Sequence, residues 1–182
     1  DATRTSPLQQ YGVYGRVTMD GVFPSLTLTN HAVGQVPDAF GSTTPVTAEL
    51  FGFRLAQTGS MTVDTLRIAF TTASGVANGD VTSGELWEDV NGDGQIDGGD
   101  TSVQTGVTPV GGVLTFSTNF QPATGGANYL VRATVANIAT ADSTTLSLDL
   151  AGIDTVDWAQ EAGAAVPATH TGDAGTVVYY SV

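Results

Sequence analysis

Residues 61–71 read MTVDTLRIAFT, and the run from Thr65 to Phe70 decides how the chain is built. In an extended backbone Leu66, Ile68 and Phe70 point to one side and Arg67 and Ala69 to the other. Alternation at period two is what a half-buried strand needs, whereas a helix would scatter those three apolar residues around its circumference. The pattern returns in Tyr129, Val131, Ala133 and Val135, with Arg132 and Thr134 opposite, and again in Leu146, Leu148 and Leu150. No window of ten or more residues carries apolar positions at helical spacing, so an all-β chain is expected.

Candidate strands fall at 12–19, 26–30, 48–56, 61–71, 85–88, 113–119, 129–137, 144–150, 155–158 and 176–182. The Gly, Asn, Asp and Pro between them suit the turns of a two-sheet, immunoglobulin-like β-sandwich. Phe51, Phe53, Phe70, Phe116 and Tyr129 are expected in its core. Two Gly- and Pro-rich stretches, 34–45 and 159–175, read as long connections, the first setting an N-terminal portion apart from the main sandwich. Thr supplies much of the polar surface, and it favours strands. The expected organisation is an N-terminal extension at 1–20 followed by one sandwich domain at 21–182.

Among 182 residues there are 18 Asp and Glu against five basic residues, all Arg, for a net charge of −13. Such a chain repels phosphate backbones and anionic lipid, so nucleic-acid binding and polybasic anchoring are excluded. The lack of cysteine removes disulfides, thiolate zinc sites and thiol nucleophiles, and the lack of lysine removes Schiff-base chemistry. No apolar run approaches the roughly 20 residues that span a bilayer. The sequence starts at Asp1 rather than Met, which is expected of a processed, exported chain, extracellular or at the cell surface.

The sharpest chemistry lies at 89–100, DVNGDGQIDGGD. Oxygen-bearing side chains stand at loop positions 1, 3, 5, 9 and 12, with Gly at position 6 and Ile at position 8, which is the spacing of a twelve-residue calcium loop. Asp89, Asn91, Asp93, Asp97 and Asp100 are expected to offer side-chain oxygens and Gln95 its backbone carbonyl. Gly94 would permit the mid-loop turn, and Ile96 would point inward. Four carboxylates in one short loop repel at about 1 kcal/mol per close pair even in water, and a divalent cation relieves that. An Asn/Asp/Gly-rich turn is the plainer alternative. The flanks GELWE and TSVQTG look like strands, not the two helices of an EF-hand.

The run from 60 to 103, followed by GVLTFSTNF and ANYLVRATVANIATADSTTLSLDL, resembles a family of secreted prokaryotic immunoglobulin-like modules with a dockerin-type calcium loop. The resemblance covers about residues 46–158. It implies extracellular or surface modules of adhesins, cell-wall assemblies or filaments, with calcium as a structural ion held by Asp89, Asn91, Asp93, Gln95, Asp97 and Asp100.

No G-x-S-x-G elbow is present, and His31 and His170 lie among Gly, Pro and Thr that read as exposed loops. The pairs Glu85/Glu88 and Asp154/Asp157 have a spacing that puts their members on opposite faces of a strand, which suits surface acids better than paired catalysts. An enzyme is therefore not expected. For a binding module, Trp87, Trp158, Tyr179 and Tyr180 are candidate stacking residues.

The remaining feature is the alternation of Tyr11, Val13, Val17 and Met19 ahead of a long connection. Such a strand can fill the open sheet edge of a neighbour, the plainer alternative being an edge strand paired within its own domain. The reading that follows is a calcium-stabilised structural subunit of an extracellular filament or surface assembly, a homopolymer joined through this strand. The alternative is a calcium-dependent adhesin or carbohydrate-binding module.

Overall fold

The computed structural model describes residues 23–41, 45–157 and 159–172. The strands there are β1 (Ser25–Asn30), β2 (Val46–Thr58), β3 (Val63–Ser74), β4 (Val81–Asp89), β5 (Thr101–Val107), β6 (Val113–Phe116), β7 (Ala127–Val135), β8 (Ser143–Ser147), β9 (Ile153–Thr155), β10 (Gln160–Gly163) and β11 (Ala168–Thr171). One sheet runs β10-β1-β2-β7-β4-β5, and the other runs β11-β8-β3-β6 with β9 pairing β3. The chain is an all-β, two-sheet sandwich. The expected strands at 12–19 and 176–182, the interface residues Tyr11, Val13, Val17 and Met19, and Trp158, Tyr179 and Tyr180 lie outside the described residues.

The alternation seen in the sequence is what the sandwich uses. Leu66, Ile68 and Phe70 turn inward from β3 and meet Phe51, Phe53 and Leu55 of β2 and Tyr129, Val131 and Ala133 of β7, all buried. Phe116 joins them from β6. Tyr129 stacks on Phe53 with ring centroids 5.4 Å apart and tilts against Phe120 at 5.1 Å.

Several expected boundaries move, each for a local reason. The strand expected at 144–150 stops at Ser147, because Asp149 accepts the Gly152 N–H and caps a 3-10 turn at Leu150–Gly152. The strand expected at 113–119 ends at Phe116, and the N–H groups of Ser117 and Thr118 donate to the Gln104 side-chain oxygen instead. The stretch 159–175 is not simply a connection, since β10 and β11 form within it. β10 pairs with β1 in parallel, and Gly163 at φ +97° lets the two backbones close up: a Cβ there would meet the Leu28 carbonyl oxygen at 2.0 Å. Nor does 34–45 hold an N-terminal portion apart, because β1 before it is an integral strand of the larger sheet.

The Tyr129 hydroxyl is buried and has no hydrogen-bond partner among the described residues. Burial, with the Glu88 carboxylate nearby, pushes its pKa far above the ordinary tyrosine value. The fold therefore holds the neutral phenol, while an unfolded chain ionises it near pH 10. The resulting stability is fully present below pH 10 and is lost as pH rises above it. Tyr129→Phe is expected to leave neutral-pH stability unchanged or raised by about 1 kcal/mol and to flatten the decline above pH 10, as read by urea unfolding across pH. Leu66→Ala, at the centre of the same core, is expected to cost about 3–5 kcal/mol in that assay.

Candidate metal centre

β4 ends in Asp89 and β5 begins at Thr101, so residues 89–100 form the link between two paired strands. Asp89 starts the wrap by accepting the Gly92 N–H at one carboxylate oxygen (2.7 Å) and the Gly94 N–H at the other (2.8 Å). Both glycines have positive φ, 74° and 82°, which turns the chain back around that carboxylate. Three side chains then fold onto the backbone two residues ahead: Asn91 accepts from Asp93 N, Asp93 from Gln95 N and Asp97 from Gly99 N. Asp100 closes the loop, accepting Val90 N at 3.0 Å and Asp97 N at 2.8 Å.

The side chains at loop positions 3, 5 and 9 converge. The Asn91 amide nitrogen lies 3.1 Å from one Asp93 oxygen and 3.4 Å from an Asp97 oxygen, so a donor occupies the space between two carboxylates. This donor set is all hard oxygen plus one amide, and each carboxylate oxygen keeps a second lone pair beyond its N–H bond. Those features fit calcium. Among the described residues, no three of His, Asp and Glu stand close enough to share a metal as placed. The Asx turns hold part of each carboxylate against the loop's own backbone. Gln95 enters the network through its N–H, and its side chain is exposed.

Sequence reasoning missed what anchors the loop. Ile96, expected to point inward, is only half-buried; its N–H is held by the Glu49 carboxylate of β2 at 3.3 Å. Asp89 is 2 % exposed, and its inner oxygen lies 2.9 Å from His31 Nε2. Val33 N–H points at His31 Nδ1 (3.4 Å), so the proton of the neutral ring belongs on Nε2, beside the carboxylate, although too far off axis for a regular hydrogen bond. Burial lowers the His31 pKa against the pull of Asp89, which keeps the ring neutral at pH 7.

His31 and His170, expected to be exposed, are both buried. They clip down the segment 31–41 between β1 and β2, which crosses the outer face of the larger sheet as a strap. The strap covers Leu130 and Gly52, where a Cβ would press on His31 at 3.2 Å. Gln35 accepts the Gly52 N–H at 2.6 Å and donates to the Gly52 carbonyl at 3.1 Å. Its amide thus continues the pairing that β1 abandons at Asn30. At the far end, His170 accepts from Ala39 N at 3.1 Å and so donates through Nε2 to the Leu50 carbonyl at 2.8 Å. Asp38 accepts the Thr171 N–H with both oxygens. Spacing alone shows none of this, because each histidine's partner is far away in sequence.

Between strap and loop lies a cleft of about 430 Å³, with Val33, Gln35 and Val36 on one wall, Asp93 and Gln95 on the other, and Glu49 among its lining residues. Of the other candidates, Glu85 takes two bonds from Arg132 and one from Trp87 Nε1, and Arg132 sits 5.4 Å over the Trp87 ring. Asp154 pairs with Arg67 at 2.7 Å on the exposed surface.

No family model and no curated protein matches the chain. A solved chain from the CaDoc0917–CaCohA2 complex at pH 5.5 is similar over 81 % of this chain and 99 % of that one, at 15 % identity and a TM-score of 0.35. A likeness this loose transfers neither ligand nor partner.

Without any metal, Asp89→Ala is expected to cost about 1–3 kcal/mol, because it strips the acceptor from the Gly92 and Gly94 N–H groups and removes the carboxylate against which buried His31 packs. Urea unfolding in chelator reads this directly.

Proposed function

We propose that the chain is a non-catalytic structural subunit of an extracellular filament or surface assembly, stabilised by calcium and polymerising by strand addition. The observation that carries this reading is the way 89–100 is built into the sandwich. Its first residue is buried against the strap, its middle is tied to Glu49, and its last leads directly into β5. A cation there would fasten three pieces of scaffold together. Asp89, Asn91, Asp93, Asp97 and Asp100 would hold it with their side chains and Gln95 with its carbonyl. Bound calcium would supply positive charge and cross-linking, not Lewis-acid activation. The engagement of both histidines as structural clips also favours a scaffold over a catalyst.

The cleft beside the loop favours a second reading, a calcium-dependent adhesin or carbohydrate-binding module. Trp87 gives that reading little help, since it is half-buried and already packed with Arg132 and Glu85.

At free calcium about a hundred times its dissociation constant, linkage adds about 2.7 kcal/mol, which for a chain of this size raises Tm by about 5–10 °C. Thermal unfolding with calcium and with chelator checks this, and no shift would remove calcium from the proposal. Electron microscopy decides between the readings: fibres that form with calcium support the subunit, while dispersed, glycan-binding particles support the adhesin. Deleting residues 1–20 is expected to leave a folded, calcium-binding monomer; normal fibres from the truncated chain would end the strand-addition reading.

A further inference from the structure

Among the described residues, β5 and β10 end the larger sheet and β6 and β11 the smaller, with the three-residue β9 pairing β3 beside them. An edge strand offers unpaired backbone N–H and C=O groups, and proteins blunt such edges by shortness, charge or proline. β6, β10 and β11 are four residues each, and β10 also carries Glu161. β5 differs on every count. It is seven residues long, TSVQTGV, with neither charge nor proline, and four of its residues are exposed. Among the described residues it is a sheet partner of β4 alone. Gly106, at φ +77°, lies next to its end, and the register of β5 with β4 shifts twice, between Gly84 and Leu86 and between Leu86 and Trp87, so the edge is twisted but still continuous.

We propose that β5 is an acceptor edge whose occupant is residues 12–19 of a second copy of this chain; the assignment rests on the strand-addition reading above. Residues 12–19, GVYGRVTM, form an eight-residue run without proline, which matches β5 in length and no other edge. Its one charged residue is Arg16. β5 starts where the loop ends, beside Asp97 and Asp100, and its first residue pairs with Glu88. The described arginines are already engaged, Arg54 with the Gly125 carbonyl, Arg67 with Asp154 and Arg132 with Glu85. An incoming strand with one positive charge therefore meets an acidic neighbourhood with few competing cations.

Position in the sheet gives the contact its polarity. Residue 23 leads into β1, next to β10 at one side of the larger sheet, while β5 closes the other side. β2, β7 and β4 lie between, so donor root and acceptor are about 19 Å apart at ~4.8 Å per strand. Copy-to-copy pairing then uses two different surfaces of each subunit, and such a contact repeats as an open polymer unless rotation closes a ring. Because β5 continues directly from Asp100, ordering of the loop by calcium would also order the start of the acceptor.

The cysteine-free chain makes the test direct. V13C or V17C is combined with V103C or T105C in β5, and, as comparisons, with T115C in β6, E161C in β10 or T169C in β11. Mild oxidation of assembled material is expected to give a ladder of disulfide-linked oligomers for the β5 pairs and at least tenfold less for the others. Ladders from another edge with none from β5, or disulfides closed within single chains, would overturn the assignment. T105K, which places charge on the edge, is expected to cut assembly at least tenfold with thermal unfolding unchanged; undiminished assembly would likewise overturn it. The truncation lacking 1–20 separates the two levels. Assembly without those residues defeats strand addition itself, whereas lost assembly with no β5 cross-links defeats only the choice of edge.

Discussion

A carboxylate as deeply buried as that of Asp89 is tolerated only where donors surround it, because an unpaired charge away from water costs several kcal/mol. Here the donors are Gly92 N and Gly94 N, and the His31 ring packs against the same carboxylate at 2.9 Å. These groups come from two separate stretches of chain, so accommodating one side chain fixes the loop on one side of it and the strap on the other. Glu49 repeats the arrangement more weakly from β2. The outer face of the larger sheet, its cleft and the start of β5 all take their positions from this joint.

Fold class was legible because β3, β7 and β8 alternate cleanly, and period two has no competing interpretation. The loop was legible for a different reason. Its spacing encodes a local wrap, and local hydrogen bonds such as Asp93 to Gln95 depend only on neighbours in sequence. What stayed hidden was long-range. His31 and His170 sit among loop-forming residues, and nothing near them announces Asp89 or the Leu50 carbonyl as partners. β10 and β11 were hidden as well, since four residues of Gln-Glu-Ala-Gly or Ala-Thr-His-Thr carry too little pattern to separate a strand from a connection. Ile96 shows the opposite failure: the position was anticipated, but the anchoring there runs through its backbone N–H rather than its side chain.

Gln35 illustrates how a sandwich of low charge manages its surface. Where β1 stops, Gly52 would be left with an unpaired N–H and carbonyl on the sheet, and the amide of Gln35 supplies both complements. The same amide nitrogen also reaches the Val166 carbonyl, binding the strap to the chain between β10 and β11. A neutral side chain does this without the desolvation a lysine or arginine would incur.

The strap's fastenings have a consequence for how the molecule comes into being. Asn30 is bonded to Val166 and Asp38 to Thr171, partners 136 and 133 positions apart. Both contacts join the first described strand and the strap to the last described residues, so neither can form until Val166 and Thr171 are present. Topologies dominated by such distant pairings fold slowly, because the entropy of closing a long loop comes due before any contact repays it. A chain delivered from its N-terminus can pair β1 with β2 and Gln35 with Gly52 early, but the fastenings to Val166 and Thr171 wait until those residues arrive. The strap would be fully fastened only when β11 arrives, which makes β11 a timing element of folding.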